Sequence, residues 1–261
     1  MFNTPMSYRV INRRLVESLA KALDLPLNEV VNTQSEVSAA KLIGGKWSQS
    51  RTREPLKADD PRLIPRIVEG LRDAGQLNIH RPDTPEQFWR GDHTAWYVFE
   101  ETIATPVTLP LAERMPTDVK SPDALNVCIS DPPEPILPRG EWDFSTSFLF
   151  LVEELGEFRW PGGWFISGIS SLRVVAQVLT DPRIESTASL FDLSSSTDRF
   201  GRWQSDHPIE RLREIGGVVG TPRRITTVYK IAYMTDEQSY PFRGQELRVS
   251  DILAYPLYIA D

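Results

Sequence analysis

Ser147-Phe148-Leu149-Phe150-Leu151-Val152-Glu153, followed by Phe158-Arg159-Trp160-Pro161-Gly162-Gly163-Trp164-Phe165-Ile166, is the pair of segments whose reading decides the fold class. Both are rich in aromatic and aliphatic residues, are of strand length, and are separated by a short turn around Leu155-Gly156-Glu157, so they predict two strands of a hairpin. Two strands in direct succession favour antiparallel pairing over regular strand-helix alternation. The expectation is an α+β fold with antiparallel-rich sheets and helices on one side.

Working outward, the chain supplies single helices between such strands. Ser7 to Ile11 reads as a short strand, and Asn12 as the N-cap of a helix whose apolar face is Leu15, Val16, Leu19, Ala20 and Leu23. A second helix is expected from about Pro65, with Ile67, Val68 and Leu71 inward and Gly75 as its terminal cap. Trp96 to Thr102 alternates as a strand. Leu172 to Leu179 follows the central hairpin as a helix, and Asp206 is expected to cap another with Ile209, Leu212 and Ile215 inward, ended by Gly216-Gly217. Thr226 to Met234 reads as a strand. Ile252 to Ile259 is a C-terminal strand that Pro256 assigns to a sheet edge. Residues 37–43 fit helix or strand equally, and 46–58 read as a loop. The proline-rich stretch 106–138 marks a connecting segment between an α+β lobe at 1–105 and a second at 139–261. Short matches such as Thr94-Ala-Trp-Tyr97 with Thr226-Thr-Val-Tyr229, at a common offset, suggest two related halves.

The 261 residues suffice for a core that needs neither disulfides nor metals. A single cysteine, Cys128, cannot form an internal disulfide, and with a terminus lacking a secretory pattern it points to the cytoplasm. No apolar run reaches membrane-spanning length, so no membrane partner is expected. The net charge of -7 argues against a nucleic-acid partner, which would need a basic surface. Arg13-Arg14, Arg51 with Arg53, and Arg223-Arg224 remain as local basic sites.

The strongest binding signal is the strand-turn-helix Trp164-Phe165-Ile166-Ser167-Gly168-Ile169-Ser170-Ser171-Leu172-Arg173. A small-residue turn leading into a helix leaves amides free at the positive end of the helix dipole, where an anion is favoured. Ser167, Gly168, Ser170 and Ser171 are the candidate donors for a nucleotide phosphate or other anion, Arg173 the nearby cation, and Trp164 an aromatic wall. The structural alternative is an ordinary capped turn. The segment lacks the full glycine pattern of the Walker or dinucleotide fingerprints, and the glycine of a nucleophile elbow is replaced by Leu172.

Other chemistry is thinly represented. His80, His93 and His207 lie at scattered spacings and match no zinc pattern, so no metal or catalytic residue is assigned and no cofactor is identified. In the pairs Glu100-Glu101 and Glu153-Glu154, alternation turns one member inward, making Glu100 or Glu153 the candidate inward acid against a default of surface charge.

The opening Tyr8 to Leu19, Ser35 to Gly45, Gly163 to Ser171 and the ending Leu253-Ala-Tyr-Pro-Leu-Tyr258 together resemble uncharacterised bacterial families of unknown function. The resemblance implies a bacterial cytoplasmic protein in an accessory or defence context, and assigns no residue a role. The functional expectation is a ligand-sensing or protein-interaction module, binding a nucleotide or other anion and more readily read as a non-enzyme. Alternatives are a hydrolase or transferase acting on a nucleotide or phosphate ester, and a structural subunit of a complex.

Overall fold

Five strands of this chain return upon themselves. In the computed structural model, β5 (Trp96–Pro110), β6 (Ala124–Ser130), β7 (Ser145–Val152), β11 (Arg223–Met234) and β13 (Gln245–Ala260) pair in the order β13, β11, β5, β6, β7, and β7 pairs back onto β13. The structure describes residues 7–25, 31–32, 52–53, 61–82, 84–90, 96–110, 124–133, 145–153, 157–160, 163–166, 175, 207–242 and 245–261. Four of the five ring pairings are antiparallel and the β13–β7 pairing is parallel. That exception is forced by arithmetic: a ring with an odd number of strands cannot alternate direction all the way round. The expected α+β class with antiparallel-rich sheets is what the chain builds.

Shorter strands extend the ring. β1 (Tyr8–Ile11) pairs with the end of β13, β4 (Leu77–Asn78) runs parallel to the start of β5, β10 (Val218–Val219) pairs with the end of β5, and β12 (Gln238–Phe242) forms a hairpin with β13. Two small sheets stand apart from it: β2 (Val31–Asn32) with β3 (Thr52–Arg53), and β8 (Glu157–Trp160) with β9 (Gly163–Ile166). The helices with described bounds are α1 (Arg13–Ala22), α2 (Leu63–Asp73), α3 (Pro85–Arg90) and α4 (Pro208–Glu214).

Side-chain alternation sorts the core into a lumen and an outer layer. Val98 and Ala104 of β5, Cys128 of β6, Leu149 and Leu151 of β7, Ile225, Tyr229 and Ile231 of β11, and Ile252 and Ala254 of β13 form one buried cluster to which every ring strand contributes, which places it inside. The alternate residues face out. Tyr97, Val228, Leu257 and Tyr258 pack under α1 and α2, while Val127, Phe148, Phe150 and Leu253 pack with Leu212 of α4 and with Val175. The Asn12 side chain accepts from the Leu15 amide at 3.0 Å and the Asn12 amide donates to the Leu257 carbonyl at 2.9 Å, so one residue starts α1 and fastens it to β13.

Several expectations are corrected. Residues 106–138, read as a connector between two lobes, supply the end of β5 and the whole of β6, and strands from both sides of it share one ring. Pro106 is tolerated because it falls at a joint on one edge of β5, where β11 stops at Ala104 and β10 begins at Val107. The central hairpin is partitioned differently: β7 belongs to the ring, and the second apolar run folds on itself as β8 and β9. Pro256 lies in a strand paired on both edges. It sits between the end of the β7 pairing at Ala254 and the start of the β1 pairing at Tyr258, beside a bulge in β13 itself where Leu257 is the extra residue against β11, so on the edge between β7 and β1 its missing N–H interrupts no ladder. The cap of α4 is His207, whose ring nitrogen Nδ1 accepts from the Ile209 amide at 3.2 Å. The helix at 172–179 lies outside the described residues apart from the buried, helical Val175, as do residues 37–43.

Candidate functional site

The ring has a seam. On the edge of β5 facing β6, the ladder to β4 ends at Val98 and the ladder to β6 begins at Thr105, leaving 99–104 without a strand partner among the described residues. Across the gap, β6 ends at Ser130 opposite Leu149, so residues 145–148 of β7 have no ladder on that side. Arg81, three residues past β4, reaches into this opening.

Its guanidinium is almost completely committed. Nε donates to both Glu100 oxygens at 2.9 and 2.8 Å, and Nη2 donates to Glu100 Oε1 at 2.6 Å, giving a forked charge-assisted pair. Nη2 also donates to Ser130 Oγ at 2.9 Å, and Nη1 to the Ser147 carbonyl at 2.9 Å. One side chain thereby joins β5, β6 and β7 where their ladders part. Tyr229 of β11 donates its hydroxyl to Glu100 Oε2 at 2.7 Å, and Thr102 and Ser130 share a hydrogen bond of 2.7 Å.

Electrostatics keep the Arg81 guanidinium and the Tyr229 phenol protonated. Burial works against the Arg81 charge, but the Glu100 carboxylate more than restores it, and the guanidinium is held above its ordinary value. Burial pushes the Tyr229 phenol well up, Arg81 opposing and Glu100 adding to the effect, so it remains an O–H donor.

A cleft of about 540 Å³ opens over this network. Its walls are Ile79, His80, Arg81 and Pro82 from the segment after β4, Phe99, Glu100 and Glu101 from β5, Pro133 beyond β6, and Thr146 and Ser147 from β7. Glu101 is exposed, as alternation requires of the neighbour of an inward residue.

A second polar cluster lies toward the other end of the ring. Thr108 donates to Asn126 Oδ1 at 2.9 Å and Asn126 Nδ2 donates to Glu153 Oε2 at 3.2 Å. Burial raises the Glu153 carboxyl, with the Asn126 hydrogen bond and the Arg223 charge pulling it down. Cys128 nearby is pushed up to about 11 by burial, against the Arg223 cation. Beyond the seam, His207 Nε2 lies 3.0 Å from Asp131 Oδ1, and with Nδ1 on the Ile209 amide both ring nitrogens are occupied. This ties the end of β6 to the start of α4.

Of the sequence candidates, Ser167, Gly168, Ser170, Ser171 and Arg173 lie outside the described residues, and Trp164 is described only as backbone in β9. Glu100 is the inward acid that alternation anticipated, and Glu153 is half-buried as well. Arg81, Ser130, Thr146, Ser147 and Tyr229 were not anticipated. Arg81 sits in a short irregular segment with no periodicity; the available signal was an inward carboxylate in a sheet interior, which demands a cation from elsewhere in the chain. Among the described residues no group of three or more His, Cys, Asp or Glu is placed to hold a metal ion, and no helix is long and apolar enough to cross a membrane. No family model, curated protein or solved structure matches this chain.

Proposed function

We propose that the chain is a cytoplasmic, non-enzymatic ligand-sensing module that receives a small molecule in the cleft at the ring's seam. The observation that carries this reading is the Arg81 network beneath the cleft. Its hydrogen bonds lock the floor in place before any ligand arrives, and preorganisation of this kind lowers the ordering cost of binding. The same bonds engage the groups best suited to acid-base work: the Glu100 carboxylate accepts from Arg81 and Tyr229, and the Tyr229 phenol is spent on Glu100. Such a floor, with its carboxylate and phenol already engaged, is suited to recognising shape and polarity. Mixed walls, with Ile79, Phe99 and two prolines beside hydroxyl and carboxylate groups, suit a small ligand with both apolar and polar parts. The single buried thiol supports the cytoplasmic assignment.

The test is a small-molecule fragment screen read by amide chemical shifts. Binders should perturb residues 79–82, 99–101 and 146–147 together. His80→Trp, at an exposed position on the rim, should fill the opening and abolish those shifts while leaving the melting temperature close to wild type. Ligands that shift only residues remote from the seam would overturn the reading.

A further inference from the structure

We propose that the seam cleft binds a short peptide in extended conformation, added as a strand along the open edge of β5; this rests on the reading of the cleft as a small-ligand receptor and specifies its ligand class. The seam has the shape of a missing strand. On one side of it β6 fills the space between β5 and β7, pairing with β5 from Thr105 and with β7 as far as Leu149. Past that point β5 and β7 run on without β6, so the slot they border continues one strand wide. Arg81 takes the β7 side of the slot through the Ser147 carbonyl, which leaves the β5 side to receive a ladder.

Backbone direction shows which groups face that slot. Along a strand, the N–H and C=O pairs of successive residues alternate between its two edges. The Tyr97 carbonyl accepts from Asn78 Nδ2 at 3.2 Å on the seam edge, and the Pro106 carbonyl accepts from the Gly220 amide at 2.8 Å on the edge shared with β11 and β10. Odd-numbered residues of β5 therefore face the seam. Glu101 and Ile103, both exposed, present there N–H and C=O groups that have no hydrogen-bond partner among the described residues. A donor and an acceptor repeated at a spacing of two residues match an extended peptide backbone, which offers the complementary pattern along its whole length. A compact ion reaches only one of these groups. The flanks suit side chains as well: Ile79, at 69% exposure, lines the cleft, and Ile103, at 64%, projects from the open stretch of β5. Alternate side chains of an added strand would cover this apolar surface.

The experiment begins with amide hydrogen exchange of the full chain. The Glu101 and Ile103 amides are expected to exchange at least about 100-fold faster than those of Glu100 and Thr102, which face β11. The binding probe is a pool of pentapeptides, acetylated and amidated, in which threonine alternates with valine, isoleucine, leucine or phenylalanine. Binders should shift the amides of 79–82, 99–101 and 146–147 and slow exchange at 101 and 103. N-methylating alternate residues of the best binder gives two isomers with the same side chains. The isomer methylated on the edge that meets β5 loses two hydrogen bonds and should bind at least about tenfold more weakly, while the other should stay within about twofold of the parent. Ile103→Ser, at a position outside the Arg81 network, should weaken the peptide severalfold with a melting temperature close to wild type. Glu101 and Ile103 amides as protected in the free chain as those of Glu100 and Thr102, equal binding by the two isomers, or unchanged peptide binding by Ile103→Ser overturns the added strand and leaves the receptor reading standing. Failure of the whole pool to shift the cleft residues overturns the added strand too; failure of the broader fragment screen as well overturns the receptor reading.

Discussion

Arg81 spans a gap that the backbone leaves unbridged. Removing one partner of a buried ion pair leaves the other charged, desolvated and unmatched, so Arg81→Met and Glu100→Gln are each expected to lower unfolding free energy by about 3 to 5 kcal/mol. Tyr229→Phe removes one hydrogen bond to a charged acceptor and should cost about 1.5 to 3 kcal/mol. Urea denaturation checks all three; a cost for Arg81→Met no larger than for Tyr229→Phe would show that the ring closes without the clamp. Cys128 tests the lumen from another direction. Its thiol is 5% exposed and pushed up to about 11, so near pH 8 it is almost wholly protonated as well as shielded. Alkylation by iodoacetamide in the native state is expected to be at least about 100-fold slower than in urea, and rapid native labelling would contradict a packed lumen.

At the level of elements, local chemistry was legible and pairing was not. The Asn12 cap, the α1 face of Val16, Leu19 and Ala20, and the glycine at positive φ after α2 are written in adjacent residues, and the chain adopts them. Pro106 and Pro256 misled because a proline reports only its own missing N–H, whereas its cost depends on what lies across each edge. Both fall at joints between successive partners of a long strand. The seam was invisible for the same reason: Glu100 could be assigned inward from alternation, but its partner Arg81 lies 19 residues earlier in the chain and is brought to it by the β4–β5 pairing. The stop of α4 gives an element-scale prediction. A Cβ at Gly217 would lie 2.5 Å from the Leu212 carbonyl oxygen, which already accepts the Gly217 amide at 2.8 Å. Gly217→Ala should therefore destabilise by about 1 to 3 kcal/mol, by the overpacking rule, while Gly75→Ser, facing open space, should show only the smaller strain of its positive φ. Equal melting temperatures for wild type and Gly217→Ala would refute the close approach.

For the whole molecule, closure depends on β13, which pairs with β1, β7, β11 and β12 and joins the first described strand to the last. Any buried charge in a ring closed this way is paid for by the entire cooperative unit, which makes Glu153 a reporter of global stability. Burial raises its carboxyl in the folded state, so the fold binds the proton more tightly than the unfolded chain does. The stabilisation from protonating Glu153 is complete below about pH 4.3, where a free glutamate titrates, and is lost as pH rises through the elevated folded value. At neutral pH the ionised carboxylate is then a net cost that Asn126 and Arg223 only partly offset. Glu153→Gln, which stays neutral, is expected to be more stable than wild type at pH 7, with the difference shrinking steadily on acidification and vanishing below about pH 4. Guanidinium denaturation of both proteins from pH 7 to pH 4 measures it. A constant difference across that range, or a variant less stable at pH 7, would mean that the attraction to Arg223 outweighs desolvation and that this end of the ring depends on the ionised carboxylate.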